Sequence, residues 1–392
     1  MNAKEAAKEQ VDRSRESLIA LSRRIHANPE VAWEEEKAAA WLCETLSGAG
    51  FAVETGIGDL PTAFRARAGS GSLHIAICAE YDALPGIGHA CGHNLIAAMA
   101  VGAGMAAAQV ADEVGLTITV IGTPAEEVGD AGGKILLLER GAFQGLHAAM
   151  MVHPAPFDAL LPKIIAASMF QVHYTGKAAH ASAFPQEGIN AADALTIAQT
   201  AIGLLRQHIR STDRIHGIIT KGGDAPNVIP ADTMAKYVIR AETFDQLAEL
   251  RPRVQRCFEA GAVGTGAQLE YIGGTKPYAH MIHDPDMIAI YRRNSESLGR
   301  RFPDLGALLE SSAASTDMGN VSLVLPSIQP LIGIDSLPAV NHQPEFAARC
   351  VTAAADKAIM DGALAMAWTA IDMAADDRVR NRLLTRARDA GQ

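Results

Sequence analysis

Runs of apolar residues, interrupted by polar turns, divide the first part of the chain into predicted helices and strands. Apolar side chains three or four positions apart indicate helices over residues 4–27, 33–46, 95–110 and 135–138. Short apolar or alternating runs indicate strands over residues 51–56, 62–69, 73–79, 116–122 and 148–153. Because strands and helices alternate, we predict an α/β domain with a mostly parallel central sheet.

The pattern changes after about residue 165, where alternating strands and amphipathic helices follow in the order β-α-β-β-α-β. That order is typical of a ferredoxin-like α+β domain. The strands are predicted at 168–175, 216–223, 233–242 and 267–274, and the helices at 188–209 and 244–262. We therefore predict an inserted domain over residues 167–282, between the two parts of the first domain, 1–166 and 283–392. A final Ala/Met-rich helix, 353–374, is predicted to pack on the sheet.

Length, charge and cysteine content narrow the class of protein. A chain of 392 residues exceeds one hydrophobic core, so two domains are expected. The formal net charge of −10 argues against nucleic acid and anionic membranes as partners, and there is no apolar run of about 18 residues that predicts a membrane span. The 5 cysteines are scattered and odd in number, which argues against a disulfide framework. The first residues are charged, include acids and do not resemble a targeting peptide. Together with the cysteine pattern, they indicate the reducing cytoplasm.

Side chains that can bind metal follow three of the predicted strands. They are Glu80, Asp82, Cys91 and His93 after the strand at 73–79, Glu126 and Glu127 after the strand at 116–122, and His153 at the end of the strand at 148–153. Because the carboxyl ends of parallel strands meet at one edge of a sheet, we expect these side chains to build a site there. Near the C-terminus, the segment AVNHQPEF adds His342.

Nitrogen, oxygen and sulfur donors together favour zinc, and also manganese or cobalt, over calcium or magnesium. The thiol, the three imidazoles of His93, His153 and His342, and one of the adjacent glutamates make five donors. Five donors exceed what one catalytic zinc ion needs, so we expect two divalent metal ions close together. One of the adjacent glutamates, left free of metal, would act as a general base and then protonate the leaving amine.

Two interpretations from other classes compete with this one. The segment from Gly86 to Gly92 follows a strand and precedes a helix, as a dinucleotide-binding loop of an NAD(P)-dependent oxidoreductase would. Its spacing departs from that motif, because Cys91 stands at the place of the third glycine. A binding protein on an inactive enzyme scaffold is the other alternative, and the presence of both Glu126 and Glu127 argues against it.

The chain also carries motifs of a known family. The motifs are AEYDALPGIGHACGHN, TPAEE, MMVHPAP, GKAAHAS and NHQPEF, together with the opening RRIHANPEVAWEE. They resemble those of the M20 metallopeptidases, specifically the amidohydrolase branch with a Cys-Gly-His motif, over nearly the whole chain. The resemblance implies a zinc-peptidase-like catalytic domain with an inserted lid that also serves for dimerisation.

Carried over motif by motif, the resemblance assigns roles to individual residues. It implies that the ligands of the two metal ions are Cys91, His93, Glu127, His153 and His342. It makes Glu126 the general base, while Asp82 orients a ligand. The implied reaction is hydrolysis of the amide bond of a small N-acyl amino acid or dipeptide-like substrate.

The lid contributes three further candidates through the same resemblance. His180, of GKAAHAS, would reach a neighbouring active site and stabilise the oxyanion of the tetrahedral intermediate. Asn227 and Arg240 are candidates for binding the carboxylate of the substrate, although an ordinary ion pair within the lid would explain Arg240 equally well. A homodimer through the lid is expected, and some relatives work with a partner subunit.

Asn94 departs from the pattern of the branch, many of whose members have aspartate after Cys-Gly-His. Together with Glu80-Tyr81-Asp82, this asparagine resembles the subgroup of aminobenzoyl-glutamate hydrolase subunits and β-alanyl-lysine-type dipeptidases. We expect Asn94 to cap the helix that follows it.

Overall fold

The computed structural model of the chain describes residues 2–304, 306 and 313–390. It divides into two compact units. The first unit comprises Met1–Val128, Gly132–Lys163 and Met281–Gln392, and the second comprises Gly129–Ala131 and Ile164–His280. Compared with the domain proposed at 167–282, the second unit begins and ends slightly earlier and includes a short segment after Val128.

The strands have the following bounds. They are β1 Ala52–Thr55, β2 Phe64–Ala68, β3 Leu73–Ala79, β4 Leu116–Gly122, β5 Ala148–Met150, β6 His153–Ala155, β7 Ala166–Thr175, β8 Arg214–Lys221, β9 Asp232–Ala241, β10 Gln268–Gly273, β11 Ser327–Ile328 and β12 Leu331–Gly333.

The helices have these bounds in chain order. They are α1 Ala3–Arg13, α2 Arg15–His26, α3 Glu36–Gly48, α4 His93–Ala108, α5 Ala111–Val114, α6 Gly133–Glu139, α7 Ala191–Leu205, α8 Phe244–Thr265, α9 Pro285–Ser297, α10 Met318–Val324, α11 Pro344–Arg349, α12 Ala353–Ala375 and α13 Asp377–Ala390.

The first unit is built on a six-stranded sheet in the order β1-β2-β4-β3-β5-β11. The pairings of β4 with β3, β3 with β5 and β5 with β11 are parallel, and the two pairings at the β1 edge are antiparallel. Strands β3 and β4 are almost entirely buried, as expected for the centre of a parallel sheet that is covered on both faces. The predicted α/β class with a mostly parallel sheet is confirmed.

Helices α4 and α12 pack against each other in the core of this unit. Glycines allow this close approach, because a Cβ on Gly102 would lie 2.9 Å from the Cβ of Ala363, and one on Gly362 would lie 2.3 Å from the Sδ of Met99. Among the described residues, α12 alone is long and apolar enough to cross a membrane, and 78% of its apolar stretch is buried inside the protein. Its apolar surface is therefore accounted for by core packing.

Two details of the first unit differ from the sequence-based prediction. The helix predicted over 4–27 is two helices, because the chain turns at Ser14 between α1 and α2; the apolar spacing continues across the turn and therefore did not reveal it. The strand predicted over 148–153 ends at Met150. His153 instead begins β6, which pairs with β12 in a separate two-stranded sheet.

The second unit is an antiparallel sheet in the order β10-β7-β9-β8 with helices α7 and α8 packed against each other and against its strands. Its elements follow in the order β-α-β-β-α-β, so the predicted ferredoxin-like arrangement is confirmed. A separate hydrophobic core, which includes Phe170, Tyr174 and Phe258, supports the unit. Strand β8 lies at an edge of the sheet and exposes Ile218 and Ile219.

Candidate metal centre

Asp82 connects two of the segments that follow the central strands. It lies just after β3 and is 1% exposed. Its Oδ1 lies 2.9 Å from the Nδ1 of His93, and its Oδ2 accepts a hydrogen bond of 2.9 Å from the backbone N–H of Glu127. One carboxylate therefore orients the imidazole at the start of α4 and the backbone of the turn after β4.

Gly92 allows Cys91 and His93 to face the same region. Its φ of +85° is in the left-handed range that favours glycine. A Cβ at this position would lie 2.5 Å from the Cγ of Pro154, so the chain also passes too close to the residue after His153 for any side chain. The glycine in the Cys-Gly-His motif is thus required by both conformation and packing.

The turn that carries the two adjacent glutamates is held by a buried carboxylate. Ala125 has a φ of +55°, an unfavourable conformation for an L-residue with a side chain. Its N–H donates to the Oε1 of Glu35 at 2.8 Å, and the Oε2 of Glu35 accepts from the hydroxyl of Thr62. Burial raises the pKa of Glu35 to about 7. Glu35 was not among the predicted site residues, because nothing distinguishes it within three consecutive glutamates.

The predicted donor atoms converge in the first unit. Within each of three groups, the candidate ligand atoms lie within 4.8 Å of one another. The groups are Cys91, His93 and His153; Cys91, Glu127 and His342; and Glu80, His93 and Glu126. The five residues expected to bind metal are thus brought together as two groups that share Cys91. Glu80 was expected at the site as a side chain that can bind metal but was not one of the five assigned ligands, and it belongs to the third group.

Individual distances show how closely the donors approach. The Sγ of Cys91 lies 3.5 Å from the Nε2 of His153. The Nε2 of His93 lies 3.8 Å from the Oε1 of Glu127, and the Nε2 of His342 lies 3.4 Å from the same oxygen. His342 is the most exposed of the five, and its backbone, at a φ of +69°, donates from its N–H to the carbonyl oxygen of Ala90.

The donor set fits a metal centre on two grounds. Among the candidate ligand residues of these three groups, three buried atoms have no hydrogen-bond partner, namely the Oε2 of Glu80, the Nε2 of His93 and the Oε1 of Glu127. Such buried unsatisfied polar atoms are rare unless a ligand completes them. The thiol, imidazole and carboxylate groups are also the ligands that zinc and similar divalent ions bind.

The surroundings shift the pKa values of these groups in different directions. Burial, together with Glu80 and Glu127, raises the pKa of Glu126 well above its ordinary value. Burial also raises the pKa of Glu127, but its contact with His342 and the charge of His93 lower it overall. The two adjacent glutamates are therefore electrostatically distinct, and Glu126 is the one that takes up a proton more readily.

Asn94 does not cap helix α4, so that expectation is wrong. Gly92 occupies the N-cap position, and the side chain of Asn94 is completely buried. Its Nδ2 donates to the Oγ of Ser22 at 2.9 Å and to the carbonyl oxygen of Cys350. Asn94 instead ties α4 to α2 and to the segment after α11.

The three candidates of the predicted lid lie in the second unit. His180 and Asn227 are exposed and close together, because the N–H of Ala181 donates to the carbonyl oxygen of Asn227 at 3.0 Å. The Nδ1 of His180 accepts from the N–H of Ala183 at 3.2 Å. Arg240 is half-buried on β9, and burial lowers the pKa of its guanidinium group.

Known proteins resemble this chain over most of its length. The family model of the M20 peptidase dimerisation domain matches residues 166–265. The Xaa-Arg dipeptidase of Mus musculus is 40% identical over 388 residues, which cover 94% of this chain and 88% of that protein. The chain belongs to the M20 family. This M20 protein is also 32% identical over 281 residues to a p-aminobenzoyl-glutamate hydrolase subunit of Escherichia coli, covering 66% of this chain and 58% of that protein.

A solved M20 structure supports the fold. The YXEP protein of Bacillus subtilis, a dinuclear metal-binding peptidase, matches with a TM-score of 0.69 at 20% identity and covers 92% of this chain and 99% of that one. Like its M20 relatives, this chain is a metal-dependent hydrolase of amide bonds, as the motifs predicted. The oxidoreductase and inactive-scaffold alternatives are therefore set aside, and the turn at Gly86 and Gly88 only leads the chain towards Cys91.

Proposed function

We propose that the first unit holds two divalent metal ions, zinc or manganese with cobalt as a substitute. The proposed ligands are Cys91, His93, Glu127, His153 and His342. The observation that carries the proposal is the convergence of these donors around buried atoms that have no partner. When bound, such ions would polarise the scissile carbonyl group and make the attacking water more acidic.

We propose Glu126 as the general base. One of its carboxylate oxygens would take a proton from the attacking water and later give it to the nitrogen of the leaving amine, so that amide and water become acid and amine. Two features support this role: its raised pKa, and its position next to Glu127, whose carboxylate interacts with His342. Asp82 would keep His93 and the backbone of Glu127 in place during this cycle.

Residues of the second unit would act on the substrate. We propose that His180 stabilises the oxyanion of the tetrahedral intermediate, and that Asn227 and Arg240 bind the carboxylate of the substrate. The closeness of His180 and Asn227 supports a shared role. Closure of this unit over the substrate would exclude water and deliver His180 to an active site.

For the substrate, we propose a dipeptide or N-acyl amino acid, with dipeptides ending in arginine tested first. The name and identity of the Mus musculus relative support this choice, and the net charge of −10 favours a cationic substrate over an anionic one. The Escherichia coli relative supports p-aminobenzoyl-glutamate as the second compound to test.

We further propose a homodimer in the cytoplasm. The matched dimerisation domain supports self-association through the second unit, and the exposed edge strand β8 offers a surface for pairing. The free state of all 5 cysteines supports a reducing compartment. A partner subunit is an outcome to test, since the Escherichia coli relative is named as a subunit of a hydrolase.

The proposed function is tested by separating turnover from metal content. Glu126→Gln should reduce the rate of hydrolysis of Xaa-Arg dipeptides by at least a hundredfold, because a general base contributes about 10²–10⁴-fold. Elemental analysis should find a nearly unchanged metal content. Glu113→Gln, on an exposed surface of the first unit, is the matched control and should leave both quantities unchanged. Substantial turnover by the Glu126 variant would reject its role as the base.

A further inference from the structure

A completely buried lysine lies beside the candidate metal centre. Lys134, on α6, is 0% exposed, and its Nζ donates to the Oδ1 of Asp317 at 2.6 Å and to the Oε1 of Glu80 at 2.5 Å. Burial lowers the pKa of Lys134, but Asp317 and Glu80 raise it well above its ordinary value. The lysine is therefore a buried cation between two buried carboxylates.

The two carboxylates use their oxygens differently. Asp317 directs both oxygens to Lys134, because its Oδ2 also accepts from the backbone N–H of Lys134 at 2.9 Å. Asp317 precedes helix α10, yet its side chain makes no capping hydrogen bond there. It is thus committed to fixing the position of Lys134. Glu80, in contrast, gives only Oε1 to Lys134, and its Oε2 is buried without any hydrogen-bond partner.

The unused oxygen of Glu80 faces an unused ring nitrogen. Its Oε2 lies 3.4 Å from the Nε2 of His93, which also has no hydrogen-bond partner. The other ring nitrogen of His93 is taken by Asp82. Glu126 completes this group, with its Oε2 at 3.9 Å from the same Nε2. A carboxylate that served only a core ion pair would not need to leave one oxygen unsatisfied against an imidazole nitrogen.

Within the cluster of Lys134, Asp317 and Glu80, one buried cation faces two buried carboxylates, so one negative charge is left over. Lys134 balances Asp317, so the charge of Glu80 is left without a full counter-charge in a buried place. Buried carboxylates beyond the number of buried cations are stabilised by metal ions or by uptake of protons. Since Lys134 holds Oε1, only Oε2 remains to meet a cation.

We propose that Glu80 is a further ligand of the metal centre, binding through Oε2 the ion that His93 faces, and that Lys134 and Asp317 are positioning residues which restrict it to that one oxygen. The inference rests on the proposed two-metal function. It adds a carboxylate to one ion and not to the other, because Glu80 groups with His93 and Glu126 but not with His342.

The test is metal affinity and not turnover. Metal-depleted protein is titrated with Zn²⁺ against a chromophoric chelator to obtain two dissociation constants. Glu80→Gln keeps the size of the side chain and an acceptor for Lys134 but removes the charge. It should lower the affinity for one of the two Zn²⁺ ions by at least tenfold and leave the affinity for the other within about twofold of wild type. Loss of a ligand or of its support costs about 10–100-fold in metal affinity. Lys134→Met should lower the affinity for the same Zn²⁺ ion.

A matched control and a spectroscopic readout separate this role from a structural one. Asp284 is a buried carboxylate of the same unit that accepts two hydrogen bonds of 2.8 Å from Arg382; Asp284→Asn should leave both Zn²⁺ affinities unchanged. In the Co²⁺-loaded protein, Glu80→Gln should alter the visible absorption bands of one ion. If Glu80→Gln fails to fold, Glu80→Asp is used instead. The shorter side chain keeps the charge but moves the carboxylate oxygen away from the metal ion, so the affinity for the same Zn²⁺ ion should fall.

The outcomes distinguish this inference from the function on which it rests. If the wild-type protein binds two Zn²⁺ ions and a folded Glu80 variant binds both with wild-type affinity and an unchanged Co²⁺ spectrum, Glu80 is only a partner of Lys134 and the inference is overturned. An equal loss of affinity for both Zn²⁺ ions overturns the inference as well. If the wild-type protein binds no Zn²⁺, the proposed metal centre itself fails.

Discussion

Gly92 offers a quantitative test of how the candidate metal centre is assembled. The residue lies between two proposed ligands, Cys91 and His93, and contacts the residue after a third, His153. Replacing it by alanine adds a single methyl group. The structure predicts two separate penalties for that group, one from the backbone and one from packing.

The magnitude follows from two distances and a dihedral angle. A φ of +85° costs an L-residue about 1–2 kcal/mol relative to glycine. The new Cβ would lie 2.5 Å from the Cγ and 3.3 Å from the Cβ of Pro154, and overpacking of this kind costs about 1–3 kcal/mol. Gly92→Ala should therefore lower the free energy of unfolding by about 2–5 kcal/mol in total.

Gly115 provides a matched control for the backbone contribution. Its φ is +72°, and a Cβ there would meet nothing within 4 Å. Gly115→Ala should therefore lower the free energy of unfolding by only about 1–2 kcal/mol, which is the backbone contribution alone. The difference between the two variants isolates the contact with Pro154.

The assay is urea unfolding of metal-depleted protein, followed by tryptophan fluorescence. The 3 tryptophans, Trp33, Trp41 and Trp368, all belong to the first unit, so the signal reports on that unit. Metal-depleted protein is used so that lost metal binding does not contribute to the difference. Equal destabilisation by the two glycine substitutions would refute the close contact at Pro154, and with it the packing reason for glycine in the motif.

Three further substitutions test the metal ligands, the lid and the dimer. Cys91→Ala should remove at least one metal ion per chain by elemental analysis, whereas Cys43→Ala should not; two ions retained without Cys91 would contradict the ligand assignment. His180→Ala should reduce kcat by at least a hundredfold with metal content and thermal stability unchanged, and His208→Ala, another exposed histidine of the second unit, should not; normal turnover would exclude His180 from catalysis. Ile218→Lys on the exposed edge strand should shift the protein from dimer to monomer in sedimentation velocity, and an unchanged dimer would place the interface elsewhere.

Much of the fold could be predicted because it depends on local pattern. The buried strands β3 and β4 are short apolar runs, and the alternation of helices and strands determined both the mostly parallel sheet and the ferredoxin-like unit. The sequence also placed donor side chains at the ends of strands, and the parallel order of those strands brings them to one edge. The sequence also presented His342 in a polar cluster near the C-terminus, but only the motif resemblance connected that cluster with the site at the sheet.

The tertiary structure alone decided how these donors are held. Asp82 meets both His93 and Glu127, Glu35 holds the turn at Ala125, and Lys134 joins Glu80 to Asp317. Except for the contact between Asp82 and His93, which are 11 positions apart, each of these contacts joins segments that are distant in the sequence. Their partners are chosen by the packing of the strands and helices, and a glutamate or lysine read in isolation is expected to be exposed. The sequence by itself therefore determined which chemical groups reach the site, while packing in three dimensions decided which of them are buried, paired and left with an unsatisfied atom for a metal ion.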